Sequence, residues 1–163
     1  MAPPVAFNAA GVVQQAFVSP APPPFLRQRR YTGARAAGLR YEKRVHEHLL
    51  DLFPTTYLPS PWLRFLAGGR WRWCQPDGLI FDLDNGRIVV VEVKYSHTSA
   101  AWWQVRHLYL PVLRKCFPEG LWAFEACEVV RWFDPATVFP EPVEMAAQVD
   151  QHGSRFRVHI WKP

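Results

Sequence analysis

Apolar positions along the chain follow two periods. Between residues 36 and 53, Val45, Leu49 and Phe53 share one helical face, while Arg40, Lys43, Arg44, Glu47 and Asp51 line another, which predicts an amphipathic helix over about Ala36 to Phe53. Glu42 lies with Val45, Leu49 and Phe53, on the face expected to pack on a sheet. Elsewhere the period is two. Trp62 to Ala67 and Arg70 to Gln75 read as strands around Gly68-Gly69, with Trp71 and Trp73 taken as sheet core in preference to base-stacking rings. Asn85-Gly86 between two apolar runs predicts a hairpin with a two-residue type I′ turn. Ser96 to Ser99 supplies capping residues for a helix from about Ala100 to Leu110, which Pro111 kinks or ends. Leu121 to Phe133 reads as a further strand, Asp134 to Gln148 as an acidic, proline-interrupted connection, and Arg155 to Trp161 as a final edge strand.

The hairpin carries charge where a sheet would bury none. If Asp84 faces Arg87, counting outward pairs Leu79 with Glu92 and Asp77 with Lys94, so Asp77, Glu92 and Lys94 share a face. The second strand is apolar on both sides, at Ile88 and Val90 and at Val89, Val91 and Val93, the pattern of a strand covered on both faces. Buried charges are costly unless paired or bound to a metal. A structural ion pair of Lys94 with either carboxylate is one explanation. The other is a site for a divalent cation, held by hard oxygen ligands with a lysine beside it to orient water or neutralise developing phosphoryl charge.

Composition sets the frame. At 163 residues the chain suits one domain with a tail, and a 15% aromatic share with eight tryptophans argues against disorder over most of it. Residues 1–26 carry no charge and six prolines. Residues 1–33 are read as an uncharged Pro-rich arm with a basic lead-in, flexible or docking on a partner, and residues 34–163 as the domain. Within the arm the residues leave open either a short helix from Phe7 to Val18, ended by the proline cluster, or disorder. Three widely spaced cysteines, Cys74, Cys116 and Cys127, read as reduced core residues. No membrane span or signal peptide is indicated, so a cytoplasmic protein is expected. The net charge of +5 is unevenly placed: Arg27 to Lys115 holds fifteen basic against seven acidic residues, whereas Glu119 to Asp150 holds seven acids and only Arg131. The basic part contains the charged hairpin, and a positive field there suits a polyanion such as DNA.

Pro76-Asp77 followed, after a hairpin, by Glu92-Val93-Lys94 resembles the signature of the PD-(D/E)XK nuclease superfamily. Gly38 and Glu42 are similar to the GxxxE pattern on the first helix of many such nucleases. The resemblance covers roughly Ala36 to Phe133. It implies an α/β fold with an αβββαβ core, a mixed sheet flanked by helices, to which this chain adds a C-terminal edge strand. It also implies a metal-dependent deoxyribonuclease acting in DNA processing, repair, recombination or viral DNA packaging, with Mg²⁺ as cofactor and Mn²⁺ able to substitute. Asp77, Glu92 and the Val93 carbonyl would bind the metal, with Glu42 directly or through water, and Lys94 would serve catalysis. In the exonuclease branch the helix after the motif lysine carries QxxxY; here Gln104 and Tyr109 stand one residue further apart, and Gln104 alone is taken as a catalytic candidate. Arg35, Arg40, Arg44, Tyr95, His97 and Arg106 are the expected DNA contacts. The alternative from another class is a DNA-binding or assembly protein that keeps the fold without the chemistry.

Overall fold

The computed structural model describes residues 7–26, 32–118, 120–132, 148–149 and 152–163. Its elements are β1 (Val13–Ser19), α1 (Gly33–Leu52), β2 (Tyr57–Pro59), β3 (Trp62–Ala67), β4 (Arg70–Cys74), β5 (Gly78–Asp82), β6 (Arg87–Ser96), a helical rod of α2 (Ser99–Gln104), a π-helical turn (Val105–Tyr109) and α3 (Leu110–Cys116), then β7 (Ala123–Trp132), β8 (Gln148–Val149) and β9 (Arg155–Ile160). Six strands make a mixed sheet in the order β2-β5-β6-β7-β9-β8, and three make a smaller antiparallel sheet, β1-β3-β4. The chain is thus an α/β protein with a mixed sheet flanked by helices.

Three layers follow from two apolar cores. On one face of the large sheet, Tyr41, Val45 and Leu49 of α1 pack against Tyr57, Val91, Val93 and Val129. On the other face, Leu79, Ile88, Val90, Phe124 and Phe156 meet the rod at Val105, Leu110 and Leu113 and the small sheet at Leu63 and Phe65. Parallel strands β6 and β7 need a long crossover, and the rod supplies it. Because β6 is covered on both sides, its side chains from Ile88 to Val93 are buried apart from the half-buried Val89.

Several expectations change. The stretch Phe7 to Val18 is not helical: Val13–Ser19 is β1, paired with β3, as the β-branched and aromatic residues there favour once a partner strand is available. Over residues 7–19 the arm therefore packs on the domain's own sheet. The Asn85-Gly86 turn is longer than expected. Asp82 pairs with Arg87 across a four-residue loop, only Gly86 there takes a positive φ, of 59°, and the Asp82 carboxylate holds the Asn85 amide at 2.8 and 3.0 Å. Leu79 consequently faces Val90 rather than Glu92. A slip of two residues keeps every side chain on its face, so the convergence of charges survives the change of partner.

The Gly68-Gly69 turn has the two positive φ values a type I′ hairpin needs, 59° and 70°. Its strands place Leu63, Phe65 and Ala67 inward, so Trp71 and Trp73, opposite Leu66 and Arg64, stand on the outer face, with Trp71 43% exposed. They are not core residues; the guanidinium of Arg64 lies 4.8 and 5.4 Å from their ring centres. β9 is an edge strand only beyond Phe156, because β8 pairs with Arg155 and Phe156. The basic lead-in at Arg27, Arg29 and Arg30, and the connection between residues 134 and 147, lie outside the described residues. Among the described residues no helix is long and apolar enough to cross a membrane.

Candidate active site

Four elements bring the expected charges together. Asp77 precedes β5, where its carbonyl accepts the Ser60 N–H at 2.8 Å and its carboxylate Oδ2 accepts the Val93 N–H at 2.6 Å. That bond ties Asp77 to the strand carrying Glu92 and Lys94. Glu92 is 1% exposed, its Oε1 holds the Lys94 ammonium, and its Oε2 is buried with no hydrogen-bond partner. Val93, between them, turns its side chain to the α1 side of the sheet.

Burial is the main influence on both acids. It pushes Asp77 up to about 6, against the Val93 N–H, which lowers it, while Glu42 adds a further rise. Burial, then the charge of Asp77, pushes Glu92 up to about 7. Burial alone would lower Lys94, but Glu92, Asp77 and Glu128 together hold it above the usual ammonium value. The cluster therefore favours a bound cation and resists a second negative charge.

Glu42 comes to this centre from the other layer. The buried stripe of α1 is Tyr41, Val45 and Leu49, so Glu42 sits at its border with a side chain 31% exposed, not on the packed face. Its carboxylate lies 3.5 Å from His46 Nε2, and His46 Nδ1 is 2.6 Å from the Tyr57 hydroxyl. The Tyr57 ring covers Gly78, beside Asp77.

Gln104 meets Tyr109. Five residues apart they would diverge on an α-helix, but the π-helical turn Val105–Tyr109 lies between them, and the Gln104 amide donates to the Tyr109 hydroxyl. That hydroxyl in turn donates to the Gln75 carbonyl at 2.9 Å, two residues before Asp77.

Of the expected DNA contacts, Arg35, Arg40, Arg44 and Arg106 are exposed. Tyr95 is 38% exposed and stands edge-on to Tyr41 at 5.9 Å. His97 is corrected: it is 5% exposed, and its Nδ1 lies 2.6 Å from Glu128 Oε2, so an expected surface contact is a buried partner of an acid.

Glu128 is the residue sequence reasoning missed. It pairs in register with Glu92 on the adjacent parallel strand, is fully buried, and has Oε1 without a hydrogen-bond partner. Burial pushes it up to about 8. The signal was available, since Glu128 interrupts an apolar strand just as Glu92 does. His46 was likewise visible, one helical turn after Glu42.

Among the described residues no three His, Cys, Asp or Glu side chains form a group ready to hold a metal ion. The donor chemistry nonetheless fits a hard divalent cation: two carboxylates on adjacent segments, Asp77 just before β5 and Glu92 within β6, one with an oxygen that is buried and unsatisfied. No protein family, curated protein or solved structure was found to match this chain.

Proposed function

We propose that the chain is a Mg²⁺-dependent nuclease hydrolysing phosphodiester bonds in DNA, built on a PD-(D/E)XK core. The observation that carries this reading is the buried, unsatisfied Glu92 Oε2 beside Asp77 and Lys94. A carboxylate oxygen without a partner is strongly unfavourable in a dry site, and a cation remedies it. With the hairpin β3–β4 set aside, the order α1, β2, β5, β6, rod, β7 is the αβββαβ order of that superfamily. The π-helical turn brings Gln104 and Tyr109 together although they stand one residue further apart than the QxxxY spacing of the exonuclease branch, and this favours action on DNA ends.

Asp77 and Glu92 would hold the cation, with Glu42 through water and with the Val93 carbonyl. The chemistry it supplies is polarisation of the scissile phosphate and a lowered pKa for the attacking water. Lys94, kept protonated by the surrounding carboxylates, places positive charge where the phosphorane gains negative charge. Asp77, anchored by the Val93 N–H, is oriented before substrate arrives.

A second reading has its own support. Lys94 already occupies Glu92, and among the described residues no three-ligand group is assembled, as suits a DNA-binding or assembly protein that keeps the fold without the chemistry.

Incubating supercoiled and linear plasmid with the protein in Mg²⁺, Mn²⁺ or EDTA separates the two. The expected result is metal-dependent degradation, faster from linear ends, and lost by at least about a hundredfold in Asp77→Asn and Lys94→Ala variants that keep wild-type circular dichroism. No cleavage by folded wild type, with no thermal stabilisation by either metal, would favour the second reading.

A further inference from the structure

The outer face of the small sheet is apolar and lies outside both cores. Trp62, Arg64 and Leu66 of β3 alternate with the buried Leu63, Phe65 and Ala67, and the register places Phe17 of β1 and Trp73 of β4 beside Arg64, and Trp71 beside Leu66. Phe17 and Trp71 are 41% and 43% exposed, and none of these five apolar side chains belongs to either core. We propose that this face stacks the unpaired bases of a single-stranded nucleic acid. The inference rests on the nuclease reading and deepens it, narrowing the substrate to DNA that presents unpaired bases, as an overhanging end does.

The rings form a continuous surface. Trp62 stands edge-on to Trp73 at 6.3 Å, and Phe17 stands edge-on to Trp71 at 5.8 Å across β3. The Arg64 guanidinium lies 4.8 Å from the centre of the Trp71 ring and 5.4 Å from that of Trp73. A contiguous apolar patch on an exposed sheet marks a surface that meets another molecule. Every base has a π-face, and both aromatic rings and guanidinium planes stack on it.

Charge selects the occupant. The chain has no acidic residue before Glu42 or between Asp51 and Asp77, so β1, β3, β4 and the β3–β4 turn bear no negative side chain. Arg64 is the cation that the face itself presents. Each ion pair among the described residues is made by other side chains, and the Arg64 Nε is buried with no hydrogen-bond partner. Ring contacts hold a guanidinium in place and leave its charge for a phosphate. A polyanion gains from this one-sided charge, whereas a protein of mixed charge does not.

Spacing and position favour a single strand. Trp71 and Trp73 stand about 7 Å apart along β4, twice the ~3.4 Å between successive nucleotides of a duplex strand. Successive bases that meet both rings are unstacked from each other, which pairing in a duplex opposes. The platform also ends at the candidate active site. Ser60, two residues before Trp62, gives its N–H to the Asp77 carbonyl at 2.8 Å, and Gln75, two residues after Trp73, donates from its side chain to the Ser60 carbonyl at 2.7 Å. Trp73 is four residues from Asp77, so their Cα atoms are at most about 14 Å apart. A strand lying along β4 therefore leads toward the carboxylates.

The test uses the full chain in EDTA and the fluorescence anisotropy of three labelled probes of equal length: a mixed-sequence single strand, its duplex, and an abasic strand that keeps sugar and phosphate without bases. Wild type is expected to bind the single strand about tenfold or more tighter than either of the others. Trp71→Ala, at an exposed position, is expected to weaken single-strand binding by about tenfold or more without changing its salt dependence, and Trp71→Tyr, which keeps a stacking ring, to retain most of it. Arg64→Gln is expected to reduce the slope of log affinity against log salt by about 0.7, the share of one phosphate on a single strand. Leu121→Ala, at a more exposed apolar residue elsewhere, is expected to leave affinity unchanged. Equal affinity for strands with and without bases, an unchanged salt slope in Arg64→Gln, or equal losses in Trp71→Ala and Leu121→Ala overturn the proposal. So does a Trp71→Ala variant that binds like wild type; if it loses self-association in sedimentation instead, the face belongs to a second copy of the chain. Cleavage in Mg²⁺ keeps the two inferences apart. A wild type that cuts, with a Trp71→Ala variant that binds and cuts equally well, sinks the platform alone, whereas a wild type that cuts no DNA but loses base-dependent affinity with Trp71→Ala sinks the nuclease alone.

Discussion

Gly78 follows Asp77 because the Tyr57 ring lies where a β-carbon would be: a Cβ built at Gly78 falls 2.5 Å from ring atoms of Tyr57. The contact links strand β5 to the His46 and Glu42 pair, since Tyr57 holds His46 through its hydroxyl. Gly78→Ala should therefore destabilise the protein by about 1–3 kcal/mol, the usual effect of overpacking, and lower the urea midpoint. In a Tyr57→Ala background the same change should be neutral or slightly stabilising, because glycine in a strand is itself unfavourable by roughly 0.5–1 kcal/mol. Equal losses in both backgrounds would mean that the ring is not the obstacle. At this scale the sequence was partly legible. Glu92 stood out as a charge in a strand apolar on both sides, and Glu128 obeys the same rule. It escaped notice because its strand contains small residues, Ala126 and Cys127, that blur the apolar pattern. The Tyr57–Gly78 contact had no local signal, as it joins residues twenty-one positions apart across two strands.

Pro111 explains the shape of the rod. It has no N–H to give the His107 carbonyl four residues earlier, and its ring would crowd that carbonyl. The helix widens instead: the Leu110 N–H reaches back five residues to Val105, and the Ala9 N–H takes the His107 carbonyl. One proline thus accounts for the π-helical turn, for the docking of the N-terminal segment, and for the meeting of Gln104 with Tyr109. Pro111→Ala supplies a competing N–H within the helix. Amide exchange at Ala9 should then accelerate at least tenfold, about 1.4 kcal/mol of lost protection, while the core strands β6 and β7 stay protected. Unchanged protection at Ala9 would separate the arm from the proline. The sequence placed Gln104 and Tyr109 five apart, which an ideal helix cannot reconcile, and the reason they meet lies seven residues beyond Gln104. The β5–β6 hairpin is a parallel case. Asn85-Gly86 predicted the turn's location, but the Asp82 carboxylate, by binding the Asn85 amide, lengthened the loop by two residues. Periodicity survived both surprises, which is why strands, helix and charged face were legible and the register was not.

Among the described residues, the half-buried Asp77 just before β5 and the buried Glu92 and Glu128 on neighbouring strands titrate together, and this sets how stability varies with pH. Burial raises Asp77 to about 6, Glu92 to about 7 and Glu128 to about 8. In the unfolded chain these acids lose their protons near pH 4, so over the interval above that the folded state binds more protons and stability falls as pH rises. His97, lowered by burial, acts in the opposite sense, because the unfolded imidazole takes a proton that the folded one refuses. That opposition ends near the unfolded histidine value of about 6.5. Between pH ~6.5 and 8 only the carboxylate effect remains, carried by Glu92 and Glu128. In EDTA, the melting temperature should accordingly drop by roughly 5 °C across this window, and Glu128→Gln, which removes one of the two titrating acids, should flatten the fall. A melting temperature that rises with pH would overturn the assignment of these acids as protonated on folding. A cation binds only the ionised carboxylates, so at saturating Mg²⁺ the slope should lessen or reverse, with stabilisation that grows toward pH 8. The same melting curves, with and without metal, thus test the electrostatics of the fold and the metal centre of the proposed nuclease in one experiment, and a metal-insensitive fall would leave the electrostatics standing while removing the cation from the site.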